Sequence, residues 1–121
     1  MSSKKTILLV DDDADLLENT AFMIKNMGFD VLTAENGSDA IEKYKEIKPN
    51  LVIMDVKMPQ MDGFDAFFKI KKFDSDARVI LITAYSVDEK KHLKAKSMSL
   101  ITTLSKPYSF DTLEELVNKH A

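Results

Sequence analysis

The sequence predicts a doubly wound α/β domain, a (βα)5 sandwich in which a five-stranded parallel sheet carries helices on both faces. Five short apolar runs alternate with five stretches of helical periodicity, which is the order such a fold requires. The first, third and fourth runs are almost continuously apolar, as parallel strands covered on both faces must be. The length of 121 residues and an apolar content of 45 % suit one compact domain, 1–121, with a real core.

The strands are expected at Ile7 to Val10, Val31 to Ala34, Leu51 to Met54, Val79 to Ile82 and Leu100 to Leu104. Thr102 and Thr103 make the fifth more polar and suit it to an edge. Leu17, Ala21, Ile24 and Met27 mark one face of the first helix, which Gly28 ends. Asn36-Gly37-Ser38 supplies the turn and cap of the second, where Ile41, Tyr44 and Ile47 recur until Pro49. Phe64, Phe67 and Ile70 mark the third. Ser86 and Glu89 have capping-box spacing for the fourth, whose apolar face is thin: Val87, Leu93 and Met98. Phe110, Leu113, Leu116 and Val117 mark the fifth.

Composition narrows the function. A net charge of −3 offers no general attraction to nucleic acid or anionic lipid. No apolar run approaches the roughly 20 residues of a membrane span, and Met1 to Lys5 leads directly into a strand, too short for a signal peptide. With no cysteine, disulfides and thiolate metal sites are excluded, and a cytoplasmic protein is the expectation. Three glycines and no Gly-rich loop argue against nucleotide binding.

Sheets of this kind bind ligands beyond the carboxyl ends of their strands, where strand order reverses. Asp11-Asp12-Asp13 follows the first strand, Asp55 the third, Thr83 the fourth and Lys106-Pro107 the fifth. Together they would place carboxylates, a hydroxyl and an ammonium in one cleft. Clustered carboxylates raise one another's pKa unless a cation sits among them. Oxygen ligands at an open site favour a hard ion such as Mg2+, which keeps waters and bridges to phosphate. Lys106 adds a second positive charge and Thr83 a hydrogen bond, the means by which a transferring phosphoryl group is positioned and neutralised. A carboxylate between these cations can itself be the nucleophile.

The segments Ile7 to Asp13, Met54 to Gly63, Ile82-Thr83-Ala84 and Ser105-Lys106-Pro107 resemble those of response-regulator receiver domains, the similarity running the whole length and being closest to the stand-alone kind. The resemblance implies a flavodoxin-like sheet of order 2-1-3-4-5. It implies that Asp55 accepts phosphate from the phosphohistidine of a sensor histidine kinase or phosphotransfer protein, and passes the signal to a downstream protein target by contact or onward transfer. Asp12, Asp55 and the backbone carbonyl of Lys57 would bind Mg2+ (or Mn2+), with Asp11 helping. Thr83 and Lys106 would contact phosphoryl oxygens, and small Ala84 would leave room for entry. Such a domain acts on no external substrate; it promotes only its own phosphorylation and dephosphorylation. Two positions depart from the family. Ser99-Leu100 stands where Gly-Ala is usual before the fifth strand, and Thr103 where an aromatic residue is usual. Phosphate is therefore expected to shift the fourth helix and fifth strand less, or to act through the loop after Thr83, with Lys57 and Tyr85 influencing the phosphate lifetime.

Competing readings are weaker. Asp13 or Asp15 reads as a helix cap. Asp11, Asp13 and Asp15 imitate a calcium loop, but Leu16 and Phe22 replace its glycine and glutamate. An aspartyl-nucleophile phosphatase would use Asp11 and Asp13, yet Asp15 stands where threonine or valine is needed. A receiver fold that no longer takes phosphate conflicts with Asp12, Asp55, Thr83 and Lys106, and a direct DNA binder would need a segment after the fifth helix. Asp62-Gly63 reads as turn chemistry, the methionines as packing, and His92 and His120 as exposed residues without partners.

Overall fold

The computed structural model describes residues 4–84 and 88–121. Its elements run β1 (Thr6–Val10), α1 (Ala14–Asn26), β2 (Asp30–Ala34), α2 (Gly37–Ile47), β3 (Leu51–Asp55), α3 (Gly63–Phe73), β4 (Val79–Thr83), α4 (Glu89–Ser97), β5 (Thr102–Ser105) and α5 (Phe110–His120). All strands are parallel, in the order β2-β1-β3-β4-β5.

Strand side chains alternate between faces, so each apolar run feeds two cores. Ile7, Leu9, Leu51, Ile53, Ile80, Ile82 and Leu104 meet Leu17, Ala21 and Ile24 of α1 and Leu113 and Val117 of α5. Leu8, Val10, Val52, Met54, Val79 and Leu81 face the other way, onto Ile41 and Tyr44 of α2, Phe64, Phe67 and Ile70 of α3, and Ala95 of α4. Phe64 and Phe67 are almost wholly buried, each contributing about 1.5–3 kcal/mol of apolar transfer.

The helices begin where local chemistry satisfies their first amides. The side chains of Asp13, Asn36, Asp62, Asp88 and Ser109 each accept a hydrogen bond from the backbone N–H three residues on. Gly28, at φ 101°, takes the left-handed turn after α1.

Several details differ from the sequence reading. β5 opens at Thr102: the Leu100 amide still donates to the Ala95 carbonyl of α4, and Ile101, whose amide donates to the Val79 carbonyl of β4 at 3.1 Å, leads into the strand. Ile47 lies 47 % exposed in the last turn of α2, beyond the packed stripe of Ile41 and Tyr44. Asp88, not Ser86, caps α4; Ser86, Val87 and Tyr85 lie outside the described residues, and Leu93 is 63 % exposed. His92 is half-buried against the Phe64 ring, 6.0 Å between centroids, and His120 is half-buried rather than exposed, its backbone carbonyl accepting from Arg78 Nε at 2.8 Å.

Candidate functional site

Sheet register assembles the site. Val10 pairs with Met54, so the next residues, Asp11 and Asp55, emerge side by side at the carboxyl edge. Asp55 pairs with Ile82 and Thr83 with Ser105, so Thr83 and Lys106 follow one rung later on β4 and just past β5. The Lys106 amide donates to the Thr83 carbonyl at 2.7 Å, carrying the ladder one bond past the strand and fixing where the lysine leaves it. β1 is flanked by β2 and β3, so strand order reverses at this edge, the place where such folds open a crevice.

Asp55 is buried at 5 % exposure, and Lys106 Nζ stands 3.0 Å from its Oδ2. The same ammonium lies 4.0 Å from Asp11 Oδ2. The Lys57 amide donates to Asp55 Oδ1 at 3.3 Å, while the Asp13 amide donates to Asp11 Oδ1 at 3.0 Å. Asp11 is itself buried, and Asp12 is exposed at the rim. Thr83 is half-buried and Ala84 exposed. Asp13 is taken up by the α1 cap, accepting from Leu16 N at 3.1 Å, as a helix-start role requires.

Charge in the cleft is out of balance. Carboxylate oxygens of Asp11, Asp12 and Asp55 lie within 4.8 Å of one another, and the ammonium beside them is that of Lys106. Burial foremost raises the Asp11 carboxyl above the ordinary range; the Asp13 amide and Lys106 oppose the rise, and Asp55 and Asp12 add to it. Burial works against the Lys106 charge, but its hydrogen bond to Asp55 and the fields of Asp55 and Asp11 outweigh that and raise its pKa. An all-oxygen donor set, crowded with negative charge and open at Asp12, fits a hard divalent cation that retains several waters.

The carboxyl end of β3 is closed from behind by α3. Gly63 N–H donates to the Val56 carbonyl at 2.8 Å, and a Cβ on Gly63 would stand 2.5 Å from the Asp55 carbonyl oxygen. Asp62-Gly63 is thus both a turn and an obligatory close approach. Asp62 has a further role not read from the sequence: with Asp65 it receives Lys91 Nζ, at 2.9 and 3.1 Å. Asp62 and Asp65 are one helical turn apart, and Lys91 lies in the first turn of α4; that charge spacing was the available signal.

A flavodoxin-like α/β sandwich with an acidic trio and a lysine at its carboxyl edge is thereby defined. The family model for the response regulator receiver domain matches residues 7–118, and the chain belongs to that family. It is 39 % identical over 114 residues to the chemotaxis protein CheY of Bacillus subtilis (strain 168), covering 93 % of this chain and 94 % of that protein. It is 31 % identical over 118 residues to sporulation initiation phosphotransferase F of the same organism, covering 94 % and 91 %. Among solved structures, the response regulator TrrA of Thermotoga maritima in complex with Mg(2+)-BeF superposes with a TM-score of 0.85 at 33 % identity, over 97 % of this chain and 99 % of that one.

Proposed function

We propose that the protein is a two-component phospho-acceptor in which Asp55 receives the phosphoryl group from a phosphohistidine of a histidine kinase or phosphotransfer protein. The observation that carries this reading is the Lys106 ammonium held 3.0 Å from the buried Asp55 carboxylate, within an acidic trio that needs a further cation. An Asp55 oxygen attacks phosphorus as the P–N bond of the donor breaks. The electron pair leaves on the imidazole nitrogen, which takes up a proton. Attack of water on the resulting acyl phosphate restores the carboxylate and releases inorganic phosphate.

Asp11, Asp12, Asp55 and the Lys57 carbonyl would hold Mg2+ or Mn2+, which when bound neutralises phosphoryl oxygens during transfer. Lys106 would turn from the Asp55 carboxylate to a phosphoryl oxygen, exchanging one charge-assisted bond for another. Thr83 would donate a hydroxyl hydrogen bond to a second oxygen, and Ala84 leaves the approach unobstructed. The output is contact with a downstream target or onward transfer; the likeness to a protein named as a phosphotransferase supports the second. Incubation with acetyl phosphate and magnesium, followed by borohydride trapping and mass spectrometry, should place the adduct on Asp55 alone. Equal labelling of Asp55→Ala would refute the assignment.

A further inference from the structure

α4 is held to the rest of the domain with little apolar burial of its own. Its one buried residue is Ala95, with Met98 packed partly beneath the helix end. The helix packs on α3, and beside the buried Ala95 the contacts between them include an ion-pair bridge, a ring pair and a cation–aromatic contact. Lys91 Nζ bridges Asp62 and Asp65 at 2.9 and 3.1 Å, His92 lies on Phe64, and Lys94 Nζ stands 4.5 Å from the Phe68 ring centroid. An alanine and a partly covered methionine bury too little apolar surface to fix a helix of nine residues alone.

The residues that Lys91 grips are joined to the phospho-acceptor. Asp62 caps α3 through its other oxygen, Oδ1, which accepts from the Asp65 amide at 2.9 Å. The next residue, Gly63, rests on the Val56 and Asp55 carbonyls with no space for a side chain. A displacement of residues 56–62 therefore moves the cap, and the cap carries the carboxylates to which α4 is tied. On β5, by contrast, Thr103 offers a half-buried hydroxyl and methyl, with no ring to occupy or vacate a cavity.

We propose that Lys91, by bridging Asp62 and Asp65, couples the loop after Asp55 to α4, so that modification of Asp55 is read on the α4 face through α3 rather than through an aromatic residue on β5. This rests on the phospho-acceptor reading of Asp55. Lys91 touches no reacting atom; it is a positioning residue. The link is electrostatic and about one-third exposed on each side, so salt weakens it.

The test uses beryllofluoride with magnesium as the phosphoryl probe, on the full chain and on Lys91→Met, Lys91→Arg and Asp65→Asn. Amide chemical shifts and hydrogen exchange are followed separately at 55–58 and at 88–98. In the wild type both segments respond. In Lys91→Met the 55–58 response should saturate at the same probe concentration, while the α4 response falls to less than about half and α4 amides exchange roughly two- to fivefold faster, as loss of a partly exposed ion pair implies. Lys91→Arg should restore coupling, and Asp65→Asn, which leaves the Asp62 cap intact, should weaken it. High salt should depress the α4 response of the wild type and leave that of Lys91→Met unchanged. An α4 response in Lys91→Met equal to the wild type, with 55–58 responding normally, would overturn the coupling and leave the phospho-acceptor reading standing. Absence of any wild-type response at 55–58 would remove both.

Discussion

Lys106 Nζ lies 3.0 Å from Asp55 Oδ2, closer than to the 4.0 Å Asp11 oxygen, although both carboxylates line one cleft. The lysine therefore addresses Asp55, the proposed acceptor, more than the carboxylates proposed to hold the metal. Lys106→Ala should keep magnesium affinity within a few-fold and slow labelling of Asp55 by acetyl phosphate by roughly 10²-fold, the usual loss when one charge-stabilising group is removed. Asp12→Ala should instead lose most magnesium affinity. Titration of both variants by fluorescence or chemical shift checks the division: equal loss of magnesium in the two would contradict it.

Metal binding and stability should be linked at the same cluster. Magnesium at about 100 times its dissociation constant should stabilise the wild type by roughly 2.7 kcal/mol, since the unfolded chain has no such site. Removing the metal with a chelator should reverse the gain, and Asp12→Ala should show little of it. Thermal unfolding with and without magnesium measures this directly.

Gly63 and Gly28 separate crowding from backbone strain. At Gly63 a methyl would meet the Asp55 carbonyl oxygen at 2.5 Å and Val56 Cα at 2.8 Å, both backbone atoms that cannot swing aside. Gly63→Ala should cost about 2–4 kcal/mol and disturb labelling of Asp55. Gly28 has φ +101° but open space where a Cβ would stand, so Gly28→Ala should cost about 1–2 kcal/mol of backbone strain alone and leave labelling unchanged. Ser99 stands in the reverse situation. Its φ of 64° is a glycine conformation, in the place where the family usually has glycine, so Ser99→Gly should stabilise the domain by up to about 1 kcal/mol. Urea melts would report all three.

Tyr44 and Asp74 give a pH dependence. The Tyr44 hydroxyl donates to Asp74 Oδ2 at 2.8 Å, and this bond first, then the Asp76 amide, lowers the Asp74 pKa. A carboxyl depressed in the folded state adds stability above its unfolded value, roughly 3.9, and loses it as pH falls through the folded value. Tyr44→Phe should thus be destabilised by about 1 kcal/mol or less at pH 7, Asp74 being partly exposed. The gap should narrow below about pH 4. A gap that persists undiminished into acid would assign the effect to packing of the ring.

Much of the fold and of the candidate site's geometry was legible because parallel strands bring the residues after them to one edge. Continuous apolar runs located β1, β3 and β4, and the residues after them are those the register gathers: Asp11, Asp12, Asp55, Thr83 and Lys106. The α4 region was not legible in the same way. Apolar periodicity singled out Leu93, which is exposed, whereas the helix is seated by Lys91, His92 and Lys94, side chains that periodicity counts as solvent-facing. Ile47 fits the helical repeat of α2 but falls beyond the end of the neighbouring core, a boundary set by tertiary packing alone. The burial of Asp11 relative to Asp12 likewise follows from sheet geometry, since adjacent acidic residues look alike in sequence.

Thr103 pairs with Leu81, whose side chain belongs to the core shared with α3 and α4, so a larger residue here would face α4. Thr103→Tyr should therefore enlarge the beryllofluoride response on the α4–β5 face, read as amide shifts at 88–105. A wild-type response there as large as that of the variant would show that the side chain at Thr103 does not limit the switch.

The rung-by-rung placement of Asp55, Thr83 and Lys106 divides the molecule into two edges with opposite tolerance for change. One residue inserted into β5 ahead of Lys106 would invert the strand's faces and withdraw the ammonium from Asp55, whatever the loops did. At the other edge, the connections leading into β2, β3 and β4 lie a full strand length from the chemistry. Extra residues there, such as beside the exposed Ser75 and Asp76, would lengthen a loop without displacing a rung. A reporter peptide or a second domain spliced into that edge would leave the proposed acceptor at the opposite one in place.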